Sequence, residues 1–367
     1  MIRMNDFRAE PAELRRVMLE ATTRVLDSGI YVLGPEVEAF ESQWASTCGV
    51  PYAVGVANGM DALEISLRSL GIGPGDEVIT TTMTAFATVL SILRAGAVPV
   101  LADIDPATGL LDLGSVERCM GPRVKAVILV HLYGRMRRVR EFAILCDRYG
   151  VCLLEDCAQA HTASEHGEVA GSIGVTGAFS FYPTKNLGAI GDAGIITTRD
   201  ARVAKLAARL RNYGQSDRYH HPIVGMNSRL DELQAAILRE RIRWLTDFTR
   251  RRRQIALAYY DGIRNSAVRL LDRPAEETAH VYHLFVLLCE QRDGLQRHLE
   301  VNGVQSLCHY PVPAHQQACA ADFRRDPSGL AASELHARAC LSLPCHPAMS
   351  EVDVQTVISV VNAYGAG

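Results

Sequence analysis

From Tyr52 onward, short apolar runs of strand length alternate with amphipathic stretches of ten or more residues. The apolar runs are Tyr52 to Val56, Glu77 to Thr82, Val98 to Ala102, Val124 to His131 and Val151 to Glu155. Helical spacing covers the residues after Asp61, then Ala85 to Ala95 and Val139 to Tyr149. This alternation constrains the chain more than any other feature. It predicts a mostly parallel sheet with helices on both faces, because parallel neighbours need a crossover that a helix supplies. In such sheets ligands lie beyond the carboxyl ends of the strands. Phe86, Asp156, Gln159 and the Asn58-Gly59 turn all fall just past such an end.

Two helices are expected ahead of the alternation, at 11–28 and 35–46, with Gly34-Pro35 opening the second. Beyond it, Ala178 to Phe181 is apolar and Gly194 to Thr198 reads as a strand. A helix follows at 201–211, and the polar loop 211–222 has a length common among functional loops. One long helix is expected from Leu230 to about Tyr260; its Arg250–Arg253 run reads as a solvated face. The texture changes after about Leu245. Strands are expected at His280 to Cys289, Gln305 to Tyr310 and Leu341 to Pro344, with helices at Asp293 to Asn302 and Glu351 to Tyr364. The expected division is a large α/β domain at 1–245 and a small α+β domain at 246–367.

Charge excludes some functions. Forty-one acids against thirty-eight bases leave no basic footprint for nucleic acid. The apolar runs are too short to span a bilayer, and the first residues carry no secretory h-region. Ten cysteines without CxxC pairs or metal-like spacing read as small buried hydrophobes. The expectation is a cytoplasmic protein without disulfides, metal, membrane or nucleic-acid partner.

Lysine is scarce: only Lys125, Lys185 and Lys205 occur. Lys185 sits in a turn dense in glycine, proline and small polar residues, Ser180-Phe181-Tyr182-Pro183-Thr184-Lys185-Asn186-Leu187-Gly188. Arginine can replace lysine as a solvated cation but cannot form a Schiff base, so Lys185 is a candidate nucleophile toward a carbonyl. An ordinary surface lysine is the competing reading. The strand, small-residue turn and helix start around Gly59, Met60 and Asp61 form an arrangement suited to phosphate. Asp156 ends an apolar run and requires a positive or protonated partner, unless it only caps a helix. Together these parts fit pyridoxal phosphate. Lys185 would carry the cofactor, the backbone of Met60 and Asp61 with Ser180 Oγ would hold the phosphate, and Phe86 would stack. Asp156 would pair with the ring nitrogen, and Gln159 would reach the phenolic oxygen.

Long motifs carry a resemblance. They include Ser28 to Val37, Asn58-Gly59-Met60-Asp61-Ala62-Leu63, Gly71 to Val78, Val130-His131-Leu132-Tyr133-Gly134, Glu155 to His161 and Phe179 to Asp192. Arg211-Asn212-Tyr213-Gly214, Asn227 to Ala235, His309-Tyr310-Pro311 and Leu341 to Pro344 extend it. Over nearly its whole length the chain resembles the DegT/DnrJ/EryC1/StrS family of sugar-nucleotide aminotransferases. The resemblance implies fold type I, the aspartate aminotransferase-like class. It also implies a homodimer with shared active sites, in which Asn227 reaches the neighbouring subunit's cofactor phosphate. It suggests L-glutamate as donor and a dTDP- or UDP-linked keto sugar as acceptor, with Arg229 a candidate for a carboxylate. Tyr31, His161, Tyr213, Tyr219, His220, His309 and Tyr310 are candidate substrate contacts. Met60 departs from the threonine or serine often found in that turn. Asn-Gly-hydrophobe-Asp-Ala resembles the version in enzymes that aminate carbon 3 of a dTDP-keto-6-deoxysugar. Rival readings are amination at carbon 4, sugar dehydration on the same scaffold, a non-catalytic binding protein and an NAD enzyme. Dehydrases of this kind carry histidine at the lysine position, and the glycines at 188–194 lack GxGxxG spacing.

Overall fold

The computed structural model describes residues 1–365. Two helices come first, α1 (Ala12–Ser28) and α2 (Pro35–Cys48). Then follow β1 (Tyr52–Val56), α3 (Gly59–Ser69), β2 (Glu77–Thr81), α4 (Phe86–Arg94), β3 (Val98–Ala102), α5 (Leu113–Cys119), β4 (Val124–Val130), α6 (Val139–Tyr149) and β5 (Cys152–Asp156). A small hairpin, β6 (Ser164–Glu165) and β7 (Glu168–Val169), leads to β8 (Thr176–Ser180), β9 (Gly194–Thr198) and α7 (Ala201–Leu210). The remainder comprises α8 (Glu232–Arg241), α9 (Leu245–Gly262), β10 (Val268–Leu270), β11 (Phe285–Cys289), α10 (Arg292–Val301), β12 (Arg324–Arg325), α11 (Ala331–Ala339), β13 (Cys340–Leu343) and α12 (Glu351–Ala363).

The large sheet runs β1-β9-β8-β5-β4-β2-β3-β12. Only β9 is antiparallel to its neighbours; the other pairings are parallel. Because β9 opposes both β1 and β8, those two run the same way. Val56 and Ser180, their last residues, both pair with Gly194, the first residue of β9. The carboxyl ends of β1, β2, β4, β5 and β8 therefore share one edge. A three-stranded antiparallel sheet, β10-β11-β13, packs with α9, α10 and α12 around Tyr259, Leu287, Leu295 and Val357.

The expected alternation is present, with four differences. The helix expected over 230–260 is two, α8 and α9, separated by a tight turn of 3₁₀ helix at Ile242–Trp244. The strand expected over 280–289 begins only at Phe285, since Tyr282 takes a positive φ and His280 makes only an isolated bridge to Arg135 while its ring stacks on Tyr282. Residues 305–310 make one isolated bridge, Leu307 to Ser342, rather than a strand. The arginine run is not simply solvated: Arg252 is buried and donates to the carbonyls of Tyr282, His283 and Cys345, Arg253 donates to those of His280 and Thr278, and only Arg250 and Arg251 pair with acids. The C-terminal part also returns β12 to the edge of the large sheet, so the two parts are interleaved beyond residue 245.

Glu232, at the start of α8, fixes the helical entry to the sheet. Its carboxylate, 1% exposed, accepts from the amides of Gly34, Glu36 and Val37 at 2.8, 2.8 and 3.0 Å. Pro35 has no N–H to offer, so one side chain satisfies the first donors of α2. Glu232→Ala strands three buried donors, each costing about 1–3 kcal/mol before water relieves some of it. We expect a lower urea midpoint, corresponding to a loss of about 3 kcal/mol or more, read by circular dichroism.

Candidate active site

Five chain segments leave the sheet at its shared edge. After β1, Asn58 caps α3 by accepting from the Asp61 amide at 2.8 Å. The expected phosphate cradle shifts by one residue in consequence. Asp61 N–H is committed to the cap, while the amides of Gly59 and Met60 at the helix start meet no acceptor. Ser180 lies directly against this turn, where a Cβ on Gly59 would come within 2.6 Å of the serine Cβ. A Cβ on Gly194 would come within 2.4 Å of the Asn58 carbonyl carbon. Glycine is required at both positions because two backbones meet there. The result is a helix N-terminus with open amides and a hydroxyl beside it, which fits a phosphate group.

Lys185 is half-buried, in the turn after β8. Its ammonium has no hydrogen bond or ion pair, and burial pushes its pKa down from 10.5 to about 8, partly offset by the charge of Asp156. Lys185 and Asp156 thus feel each other without touching, as a pair flanking a planar ring would. Asp156, 7% exposed, is pushed up by burial and pulled back by hydrogen bonds and by the lysine. It accepts from Thr88 Oγ1 at 2.8 Å and from the Ala158 amide at 3.1 Å. Gln159 is oriented by the Tyr133 amide, which donates to its Oε1 at 2.6 Å, and its Nε2 donates to Tyr310 Oη at 3.2 Å. Phe86 opens α4, its half-buried ring packing toward Val89 and Leu101. These residues fit pyridoxal phosphate: Lys185 would hold it, Asp156 its ring nitrogen, and Gly59, Met60 and Ser180 its phosphate.

Other expected residues lie differently. His161 is fully buried in a box of Trp44, Phe179 and Phe181, and its Nε2 lies 3.0 Å from the Ser180 carbonyl. Sealed there, it props Ser180 and is no substrate contact; burial drives its pKa down to about 3. His309 is half-buried, its Nδ1 2.8 Å from Ser342 Oγ, and Tyr310 stands beside Gln159. Tyr31, Tyr213, Tyr219 and His220 are exposed; Arg229 lies over the Tyr213 ring and donates to Asn212 at 3.3 Å. Asn227 is exposed and its side chain has no partner, so this chain alone does not bring it to the phosphate turn.

The sequence reading missed three residues. Thr88, itself 2.8 Å from Thr84 Oγ1, had a usable signal: a hydroxyl one turn into the helix that follows β2. His283 rests on Asn186 at 3.2 Å within the electrostatic reach of Lys185, and only folding places it there. Tyr133 is the third. His131, Glu155 and Cys157 also cluster. However, the Glu155 oxygens are already taken by His131 and the amides of Gly171, Ile173 and Gly174. That arrangement is an anchor for the loop ahead of β8, with no oxygen left over for a metal ion.

The family model for the DegT/DnrJ/EryC1/StrS aminotransferases matches residues 13–362. The chain belongs to the DegT/DnrJ/EryC1/StrS aminotransferase family. Among relatives of this family, the chain is 43% identical to the erythromycin biosynthesis sensory transduction protein EryC1 of Saccharopolyspora erythraea, over 98% of each chain. It is 42% identical to the dTDP-3-amino-3,6-dideoxy-alpha-D-galactopyranose transaminase of Aneurinibacillus thermoaerophilus, over the full length of both. The crystal structure of S. venezuelae DesV in complex with a ketimine intermediate superposes with a TM-score of 0.94 at 42% identity, covering 98% of this chain and 97% of that one. The DegT/DnrJ/EryC1/StrS aminotransferases depend on pyridoxal phosphate, in agreement with the cradle, lysine and acid described above.

Two outcomes follow. Only the neutral amine attacks a carbonyl, so pyridoxal phosphate should react with the cofactor-free protein at a rate that rises through pH about 8, not near 10.5. Stopped-flow absorbance reads this directly. Thr88→Val removes a buried hydrogen bond to a carboxylate, worth about 1.5–3 kcal/mol. Cofactor retention on dialysis should weaken at least about tenfold, and Thr88→Ser should restore it.

Proposed function

We propose that this protein transfers an amino group from L-glutamate to a nucleotide-linked keto-deoxysugar, and that the acceptor is a dTDP-3-keto-6-deoxyhexose aminated at carbon 3. The observation that carries the reading is Lys185, unpaired, lowered in pKa, and within the field of Asp156 at the shared sheet edge. Relatives named as dTDP-3-amino-sugar transaminases support the sugar and the position. When bound, pyridoxal phosphate supplies the electron sink for the carbon that loses its proton.

The chain's own residues do the rest. Asp156, held by Thr88 and Ala158, favours a proton on the ring nitrogen by direct pairing in a poorly solvated pocket. Lys185 Nζ would be a base of suitable strength near neutral pH to take the proton from the amino donor's α-carbon. Arg229 offers a guanidinium fork for a carboxylate. Tyr31, His309, Tyr310 and the 213–221 loop line the approach for the sugar nucleotide. Two chains pair so that Asn227 of each reaches the other's phosphate turn; its exposed, unpartnered amide supports this arrangement. We place the enzyme in the cytoplasm. Among the described residues no helix is long and apolar enough to cross a membrane.

Some relatives carry regulatory names, such as the pleiotropic regulatory protein of Geobacillus stearothermophilus. A protein that merely held the cofactor would have no use for a lysine tuned toward a base, which favours turnover.

The test is the visible spectrum of the purified protein before and after L-glutamate. A yellow band that bleaches on adding glutamate supports cofactor, lysine and donor together, and a screen of dTDP- and UDP-keto sugars then identifies the acceptor. Lys185→Ala should lose turnover entirely. Turnover by that variant without added amine would falsify the role.

A further inference from the structure

One cavity lies away from Lys185. A cleft of about 690 Å³ opens between α11, the ends of β10 and β11, and the turn at Pro106. Its walls are apolar along Val268, Leu288 and Leu335. Two guanidiniums stand on it, from different elements. Arg269 gives one bond, to the Pro106 carbonyl at 3.1 Å, and Arg338 has no partner; neither meets a carboxylate. Glu290 is the one acid on the lining and marks where an anion does not sit.

The ring of His336, 2% exposed, forms part of the wall. Tyr133 Oη lies 2.6 Å from the His309 carbonyl and 2.9 Å from His336 Nε2. A carbonyl cannot donate, so the single hydroxyl proton goes to His309 and Nε2 must carry its own proton toward the tyrosine. Nδ1 is then a bare acceptor, buried and without a partner. Burial and the Arg269 charge keep the ring neutral, with its pKa lowered to about 4. A buried acceptor left open costs free energy that a ligand donor would recover.

We propose that this cleft is a second ligand site, separate from the Lys185 site, that takes a nucleoside diphosphate. The volume falls in the range of small-molecule sites. The apolar wall suits a base, the two guanidiniums suit a diphosphate, and the His336 ring on the lining carries the open acceptor. The site stands whether or not the reading of the Lys185 site is correct. Tyr133 joins the two regions: its hydroxyl meets His336 and His309, and its amide orients Gln159.

Titration calorimetry of the cofactor-loaded protein with dTDP counts equivalents bound per chain. The Arg269→Glu/Arg338→Glu double variant should bind one equivalent fewer than the unaltered chain, whatever the Lys185 site binds. Ala339→Trp, which fills the cleft without changing charge, should lose the same equivalent, with circular dichroism confirming its fold. dTDP-glucose, run alongside, tells a free diphosphate from a sugar-capped one as the preferred occupant. Equal stoichiometry in the unaltered chain and the folded variants overturns the proposal.

Discussion

The whole site depends on one close approach of backbones. Strand β9 runs against both of its neighbours, so Gly194 lies between Val56 and Ser180 and locks the ends of β1 and β8 into one register. There the chain has no room for a side chain at Gly59 or Gly194. That contact sets the start of α3 beside Ser180. A slip of one residue in β9 would turn every side chain of the strand to the opposite face and separate the turn from the hydroxyl.

The residues around that contact form two layers. One stands at the shared sheet edge: Lys185, Asp156, Gln159 and Ser180. The other holds them in place. His161 in its aromatic box supports Ser180, Thr88 and Ala158 orient Asp156, and the Tyr133 amide orients Gln159. Glu155, one residue before Asp156, points the other way and gathers three loop amides and His131. Burial would raise Glu155, but these donors outweigh it and keep it ionised, whereas Asp156 with fewer donors is raised. Successive residues of one strand thus divide anchoring from chemistry, because alternate side chains point to opposite faces.

Much of this was legible in the sequence. The strand–helix alternation is a periodicity, and a lysine among arginines is a matter of residue type; both survive without coordinates. Asp156 and Gln159 were read from their places at strand ends, and Lys185 from its residue type in a turn of small residues. Errors clustered where tertiary contacts decide. His161 carries the same polarity in sequence whether it faces substrate or a tryptophan. The arginines of α9 look solvated until the carbonyls of 278–283 and of Cys345 are found against them. A 3₁₀ turn of three residues leaves almost no trace in a helical pattern.

By itself the sequence determined the fold class, the cofactor chemistry and the edge where it occurs, because periodicity, glycine placement and residue chemistry are local properties. The tertiary structure decided which amides stay open at the phosphate turn, which histidines are sealed and which second residues hold the acid. It also brought His336, Tyr133 and His309 into one chain of contacts across 203 positions of sequence. Those outcomes depend on distances between segments far apart in the chain, which no local pattern encodes.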